Sequence, residues 1–264
     1  MRFRHRTARP LLLAAAFMLV VGAALVGCAT IGGANYVSLE EEWQLGRELE
    51  ADINRQVTLV NDPTLQRYVE QMGQRIVRET EMAGLSWRFH VIADDAINAF
   101  NIPGGAVYVN TGLIAQAGSA SELAGAVAHE VAHGVARHGT QRLSQAYEAN
   151  LLAGVLLGNN PGLVEQLAAQ VVAQGAFASF SRSDEREADR MAIPYMAGAG
   201  WDPEGLARMF ERLMAESGGG SVPFFSTHPT TQERIENVRA LAQGYDGRTN
   251  DGQFSSIRSR AARY

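Results

Sequence analysis

The chain has 264 residues, 46% of them hydrophobic, and a formal net charge of −5. That length and composition support one sizeable core, more than a minimal domain needs. The acidic balance argues against nucleic acid or an anionic membrane surface as a partner, and a single cysteine excludes an internal disulfide framework.

The N-terminus reads as an export signal. Arg2, Arg4, Arg6 and Arg9 form a basic leader, followed by the apolar run LLLAAAFMLVVGAALVG and then Cys28. A basic region, a short apolar stretch and a small-residue boundary describe a secretory signal peptide. The run also approaches the length of a spanning helix, so an uncleaved anchor is the competing expectation. Leu25-Val26-Gly27-Cys28 resembles a bacterial lipobox, which implies a signal over residues 1–28 and a lipid on Cys28. In such lipoproteins Ala29, where an aspartate would retain the protein at the inner membrane, implies sorting to the outer one. Without its leader the chain carries a formal charge of about −9. Residues 29–37 are small and polar and read as a tether, and the acylated cysteine would hold the protein on a membrane.

Ser38 with Glu41 forms a capping box that opens a helix to about Val57. Asp62-Pro63 starts a second, with Leu65, Tyr68, Val69, Met72 and Ile76 on one face. Neither helix carries chemistry, and both read as scaffold. WRFHVIA (87–93) alternates and is rich in β-formers, which predicts a strand. Pro103-Gly104-Gly105 then turns into AVYVN, a second short strand of Ala106, Val107, Tyr108, Val109 and Asn110. Ser121 can cap the next helix. A long helical region follows, broken at GNNPG (158–162). Another helix begins after Ser181-Arg182-Ser183-Asp184, and one more after Trp201-Asp202-Pro203 that ends at Gly218-Gly219-Gly220. Thr230 with Glu233 caps a last helix, and the polar, arginine-bearing residues 244–264 are expected to be disordered. No internal repeat is visible. The prediction is an α+β domain, mostly helical with a small sheet.

The third helix carries His129-Glu130-Val131-Ala132-His133, an H-E-x-x-H pattern. Four residues on a helix rise ~6 Å and turn slightly past one full turn, so both imidazoles point the same way. Two nitrogens so placed suit a tetrahedral metal, and Glu130 can reach a water there as general base. Gly125, Ala126, Ala128, Ala132 and Gly134 would let another helix approach closely. The motif alone is also compatible with a chance pattern on an ordinary amphipathic helix; it needs a third ligand. His138 fails on spacing, because the metzincin pattern puts its third histidine ten residues after the first, where this chain has Gly139. His138 is expected on the surface or behind a ligand histidine. Downstream, Glu185 and Asp189 lie four residues apart on one helix face. One can bind the metal while the other accepts a hydrogen bond from a ligand histidine. Glu187 points away and reads as a solvated or structural acid, and Glu148 lacks a second acid at helical spacing. An exposed charge cluster is the bland alternative for this segment.

H-E-x-x-H followed some fifty residues later by E-x-x-x-D resembles the HtpX and CAAX prenyl protease type 1 family of gluzincin zinc metallopeptidases. NAFNIPGGAVYVNTGLI, SRSDEREADRMA and STHPTTQERI extend the resemblance over roughly residues 40–240. The lipobox makes the chain look like the periplasmic lipoprotein members, those similar to LoiP or to the peptidase part of BepA. BepA-like members add a long helical repeat domain, for which the chain ends too early. The resemblance implies a zincin-like metallopeptidase domain over residues 38–243 with one Zn²⁺ per chain. His129, His133 and Glu185 would bind it, Glu130 would activate water, and Asp189 would support a ligand histidine. Residues 106–110 would be the edge strand on which an extended peptide is laid. The His-Pro loop of the family lies near the metal, so His228 would either fill a fourth position and keep the enzyme latent or assist at the oxyanion. Arg234 would also meet the developing oxyanion. The expected activity is a zinc endopeptidase on the periplasmic face of a bacterial membrane, acting on misfolded or misassembled envelope proteins. The rival is a metal-stabilised chaperone or assembly factor that does not cut.

Overall fold

The computed structural model describes residues 35–146, 161–175, 177, 179–216 and 222–264. The signal segment, Cys28, residues 29–34 of the tether and residues 151–158 lie outside the described residues.

Helix α1 (Leu39–Gln56) opens on the expected capping box: Ser38 Oγ accepts from the Glu41 N–H, and the Glu41 carboxylate accepts from the Ser38 N–H at 2.7 Å. Helix α2 (Pro63–Val77) starts from Asp62, whose carboxylate accepts from the N–H groups of Thr64 and Leu65. Its predicted apolar face is buried, from Leu65 through Tyr68, Val69 and Met72 to Ile76. Three strands follow, β1 (Arg88–Ile92), β2 (Ala99–Ile102) and β3 (Ala106–Asn110), in the order β1-β3-β2. β1 runs parallel to β3 and β2 antiparallel to it.

The expected edge strand at 106–110 is therefore the central strand. Both sides of β3 are hydrogen-bonded and all five of its residues are buried, so no peptide can pair with it. The outer strands are β1 and β2, and the alternation rule misses β2 because Ala99 to Ile102 are all buried. The β2–β3 turn is Pro103-Gly104-Gly105, with Gly104 and Gly105 at φ 84° and 79°. That left-handed conformation favours glycine. The turn also docks against α1, where a Cβ on Gly46 would come within 2.2 Å of the Pro103 carbonyl.

After α3 (Thr111–Gln116) comes α4 (Ala120–Val135), the helix of the H-E-x-x-H pattern. Its cap is Ser119 rather than Ser121: Ser119 Oγ accepts from the Glu122 N–H. Fifteen of its sixteen residues are buried, because it runs through the centre with α7 (Arg182–Gly198) and α8 (Glu204–Glu216) packed on it. The expected close approach is real. A Cβ on Gly125 would lie 2.7 Å from Leu206 Cα, and one on Gly205 2.3 Å from the Ser121 carbonyl. Short α5 (His138–Ala146) follows α4, and α6 (Pro161–Gln174) packs on α1. The chain ends with α9 (Pro223–Thr227), α10 (Gln232–Ala242) and α11 (Phe254–Ala261). α10 is capped by Thr231, one residue after the expected Thr230.

The tail differs from the disorder expected of residues 244–264. α11 buries Phe254, Ile257 and Ala261 against α2 and α3, and Arg260 donates to Asp62 at 2.7 Å. Three small apolar contacts at helical spacing were enough to dock a segment whose composition is polar. Among the described residues no helix is long and apolar enough to cross a membrane. The class is as predicted, mostly helical with a small sheet.

Candidate metal centre

Three elements converge at the middle of the domain. α4 turns His129 and His133 to one side, both fully buried. α7 begins with a capping box between Ser181 and Asp184, which fixes its first turn and sets Glu185 toward α4. The loop after α9 brings His228, whose N–H donates to the Phe224 carbonyl at 2.9 Å. One ligand atom from each of His129, His133, Glu185 and His228 lies within 4.8 Å of the others. The Nε2 atoms of His129 and His133 are 3.1 Å apart, and Glu185 Oε1 is 3.3 Å from His133 Nε2 and 3.0 Å from His228 Nδ1.

Three imidazole nitrogens and a carboxylate oxygen form a donor set that suits a divalent metal of zinc type. The polar atoms around it point the same way. Glu130 Oε1 and His228 Nε2 are buried without a hydrogen-bond partner among the described residues and face each other at 3.4 Å. Such groups are costly unless something else satisfies them. The residues present fit a bound cation.

Behind the donors stands a layer that orients them. Asp189 Oδ1 lies 3.1 Å from His129 Nδ1, which leaves Nε2 directed at the cluster. Arg234, in the first turn of α10, donates to both Asp189 oxygens, from Nε at 2.5 Å and Nη2 at 2.8 Å. Its Nη1 lies 2.5 Å from Glu185 Oε2. The Phe180 ring stacks on His133 with centroids 4.0 Å apart, and the Phe224 ring on His228 at 4.6 Å.

The charges follow from this packing. Burial pushes the Glu130 carboxyl up to about 7, and the nearby Glu185 charge adds to the effect. Burial would also raise Glu185, but His228, His129 and His133 outweigh it and hold that carboxyl far below the usual range. Burial lowers His133 well below an ordinary histidine. In His129 burial is outweighed by Asp189 and Glu185, and the ring is raised instead. So one carboxyl is held ionised between histidines, and its neighbour is poised to take or give a proton near neutrality.

The structure thus brings together His129, Glu130, His133, Glu185, Asp189, His228 and Arg234. It does not bring Ala106, Val107, Tyr108, Val109 or Asn110 to the site as an edge. The strand that reaches the centre is β2, whose Asn101 N–H donates to Glu130 Oε2 at 3.1 Å. Sequence reasoning also missed Phe180 and Phe224. Asn101 acts through its backbone, which leaves no residue signature, whereas the two phenylalanines flank Ser181 and the His228 loop closely enough to have been found. The Arg234 guanidinium is engaged by Asp189 and Glu185, so its first task is to hold them.

The profile of peptidase family M48 matches residues 63–242, more than half of the chain. The chain belongs to peptidase family M48. It is 32% identical over 211 residues to the mitochondrial metalloendopeptidase OMA1 of Schizosaccharomyces pombe, covering 77% of this chain and 62% of that one. It is 28% identical over 217 residues to the beta-barrel assembly-enhancing protease of Escherichia coli, covering 78% and 45%. An OMA1 metalloendopeptidase of Arabidopsis thaliana is 30% identical over 177 residues, covering 67% and 36%. The chain spans about half the length of these relatives. The M48 profile contains both the H-E-x-x-H helix and the first turn of α7, so the family assignment and the convergence of donors concern the same residues.

Proposed function

We propose that this M48 chain is a zinc-dependent endopeptidase that cleaves extended or misfolded proteins of the bacterial envelope. The observation that carries the reading is Glu130, buried beside two ligand histidines with one oxygen that has no hydrogen-bond partner among the described residues. His129, His133 and Glu185 would hold the metal. When bound, it supplies Lewis acidity toward a carbonyl oxygen and toward water. Glu130 takes a proton from water and passes it to the leaving amine, with Asn101 N–H holding its second oxygen in place. Asp189 keeps His129 in one orientation, and Arg234 keeps Asp189 and Glu185 from swinging out. The Asn101 N–H points out of the sheet toward Glu130, so the outer edge of β2 faces the centre. All four β2 residues are buried and the Asn101 N–H is already given to Glu130, so a peptide would pair along that edge, past Glu130, only once the edge is uncovered.

The envelope assignment is supported by the lipobox at Cys28 and by the similarity to a beta-barrel assembly-enhancing protease. A lipid on Cys28 would hold the domain on the periplasmic face of a membrane, the outer one by the Ala29 rule. The decisive test is metal content together with cleavage of an unfolded protein. Purified mature protein should hold one zinc per chain, and Glu130→Gln should keep the zinc while losing cleavage. Absence of zinc, or unchanged cleavage by Glu130→Gln, defeats the mechanism. Cys28→Ser should release the protein from the membrane fraction; retention would favour an uncleaved spanning anchor.

The position of His228 favours one alternative enough to keep it. With four protein ligands in reach, a closed site leaves no place for water, as in structural zinc sites. The protein would then be either a latent peptidase opened by moving His228 or a chaperone that does not cut. His228→Ala separates these: a latent peptidase gains activity, and a pure chaperone stays inactive. Loss of activity would instead give His228 a part at the oxyanion.

A further inference from the structure

His133 has a second ring nitrogen, and another histidine faces it. His138 Nδ1 lies 2.9 Å from His133 Nδ1. The other nitrogen of His138, Nε2, lies 3.6 Å from Glu187 Oε2 on α7. His138 is 2% exposed, so spacing that removes it from the ligand set has not sent it to the surface. It reaches this place by a two-residue turn between α4 and α5. Arg137 there has φ 58°, the one non-glycine residue with positive φ among the described residues. The Arg137 side chain donates to Glu42 Oε2 and to the Val37 carbonyl, each at 2.5 Å, and Glu42 is buried. A left-handed arginine held by a buried carboxylate is a costly turn, and its product is the position of His138.

We propose that His138 is a positioning residue for the metal centre, fixing the tautomer and ring angle of His133 through a carboxylate–histidine–histidine chain that ends at Glu187. The inference rests on the metal reading given above. The order of protons follows from counting them. A neutral imidazole carries one N–H, and two nitrogens 2.9 Å apart can share only one proton. If His133 Nε2 is to serve the cluster with its lone pair, its proton sits on Nδ1 and is donated to His138 Nδ1. His138 must then carry its own proton on Nε2, directed at Glu187. The reverse arrangement would put a proton on His133 Nε2 and remove it as a ligand. One choice of tautomer thus serves ligation, and His138 enforces it.

The two ligand histidines are therefore held differently. His129 leans on the ionised Asp189, which Arg234 fixes in turn. His133 leans on a neutral ring whose far end meets Glu187, a half-exposed acid. Glu187 thereby takes a part that its place in the E-x-x-x-D segment did not suggest. It also ties α7 to the first residue of α5, just beyond the helix that supplies His133.

Competition for zinc against a chromogenic chelator tests this in the full mature chain. His138→Leu, which keeps volume but removes the acceptor, should weaken zinc binding about 10–100-fold. His138→Asn places an amide oxygen near the lost Nδ1 and should restore most of that loss. Glu187→Ala should cost less than about tenfold, because its contact is longer and wetter. Ring-nitrogen chemical shifts of the zinc-loaded parent give an independent reading that needs no variant. They should show His133 protonated on Nδ1 and His138 on Nε2. Parent-like zinc affinity in His138→Leu, an Asn variant no better than the Leu variant, or a His138 protonated on Nδ1 would each overturn the proposal. If the His138→Leu protein fails to fold, the ring-nitrogen shifts decide alone. A parent that binds no zinc removes the function proposed above as well, whereas a zinc-binding parent with indifferent variants removes this inference only.

Discussion

Glu130→Gln should remove one pH-dependent contribution to the stability of the metal-free protein. Glu130 is fully buried, and its carboxyl is pushed up to about 7 chiefly by burial, against an ordinary value of 4.5. Between those two values the unfolded chain loses its Glu130 proton while the folded chain keeps it. Rising pH therefore favours unfolding across that window, and the loss is complete above about 7. A difference of ~2.5 pH units at ~1.4 kcal/mol each gives about 3 kcal/mol. Glutamine is isosteric, keeps an acceptor for the Asn101 N–H and carries no proton to lose. Urea unfolding of chelator-treated parent and variant at a series of pH values from 4 to 9 would measure the effect. The two stability curves should run parallel above neutrality and diverge below it, the parent gaining about 3 kcal/mol relative to the variant by the acid end. Curves that differ by a constant offset at every pH would refute the reasoning, whatever the variant does to cleavage.

Arg137→Ala breaks its pair with Glu42 and leaves that carboxylate buried, which should cost roughly 2–3 kcal/mol, discounted because the arginine is partly exposed. Arg137→Gly should lose about 1 kcal/mol less, since glycine accepts φ 58° without strain; equal losses in urea melts would mean the turn is not strained. Gly125→Ala should destabilise by about 1–3 kcal/mol, because a Cβ there meets the backbone of Leu206 and α8 must shift, and an unchanged melting curve would refute the close crossing. Burial alone would raise Glu50, but His90 and Arg88 outweigh it and hold the carboxyl below its usual value. Its contribution to stability is present above the unfolded value and lost as pH falls through the folded one. Glu50→Gln should therefore flatten the acid limb of the stability curve below about 4.5, and a limb as steep as the parent's would count against that pairing.

What could be read from the sequence was local and chemical. Ser38, Asp62 and Ser181 announce their helices because capping is a short-range contact between a side chain and the next turn. H-E-x-x-H and E-x-x-x-D give the donors because four residues return a helix to the same face. What failed was pairing across space. Nothing in AVYVN says whether one or two neighbours flank it, and β2 was invisible because a strand buried on both faces loses its alternation. The tail failed for a related reason. Its polar composition hides Phe254 and Ile257, whose value depends on the surface that α2 and α3 present to them. His138 was judged correctly as a poor ligand, yet its burial depends on the turn at Arg137 and on Glu42, ninety-five residues away.

The net charge of the centre explains why these parts belong together. Glu130, Glu185 and Asp189 are all buried, and Arg234 is the single buried cation among them. With neutral histidines and every carboxyl ionised, this cluster is short of two positive charges, the charge of one divalent metal. Without metal the deficit is relieved in part by protons, taken up by the raised His129 ring and, among the carboxyls, by Glu130, because the neighbouring histidines hold Glu185 ionised and Arg234 does the same for Asp189. A cation in the cluster should then draw the Glu130 carboxyl back down and release its proton. Zinc uptake near neutral pH should accordingly release protons in the parent and measurably fewer in Glu130→Gln. A calorimetric titration in two buffers of different ionisation enthalpy reads the count directly. Equal release from both would mean that Glu130 is already ionised, and that the buried charge is balanced in some other way.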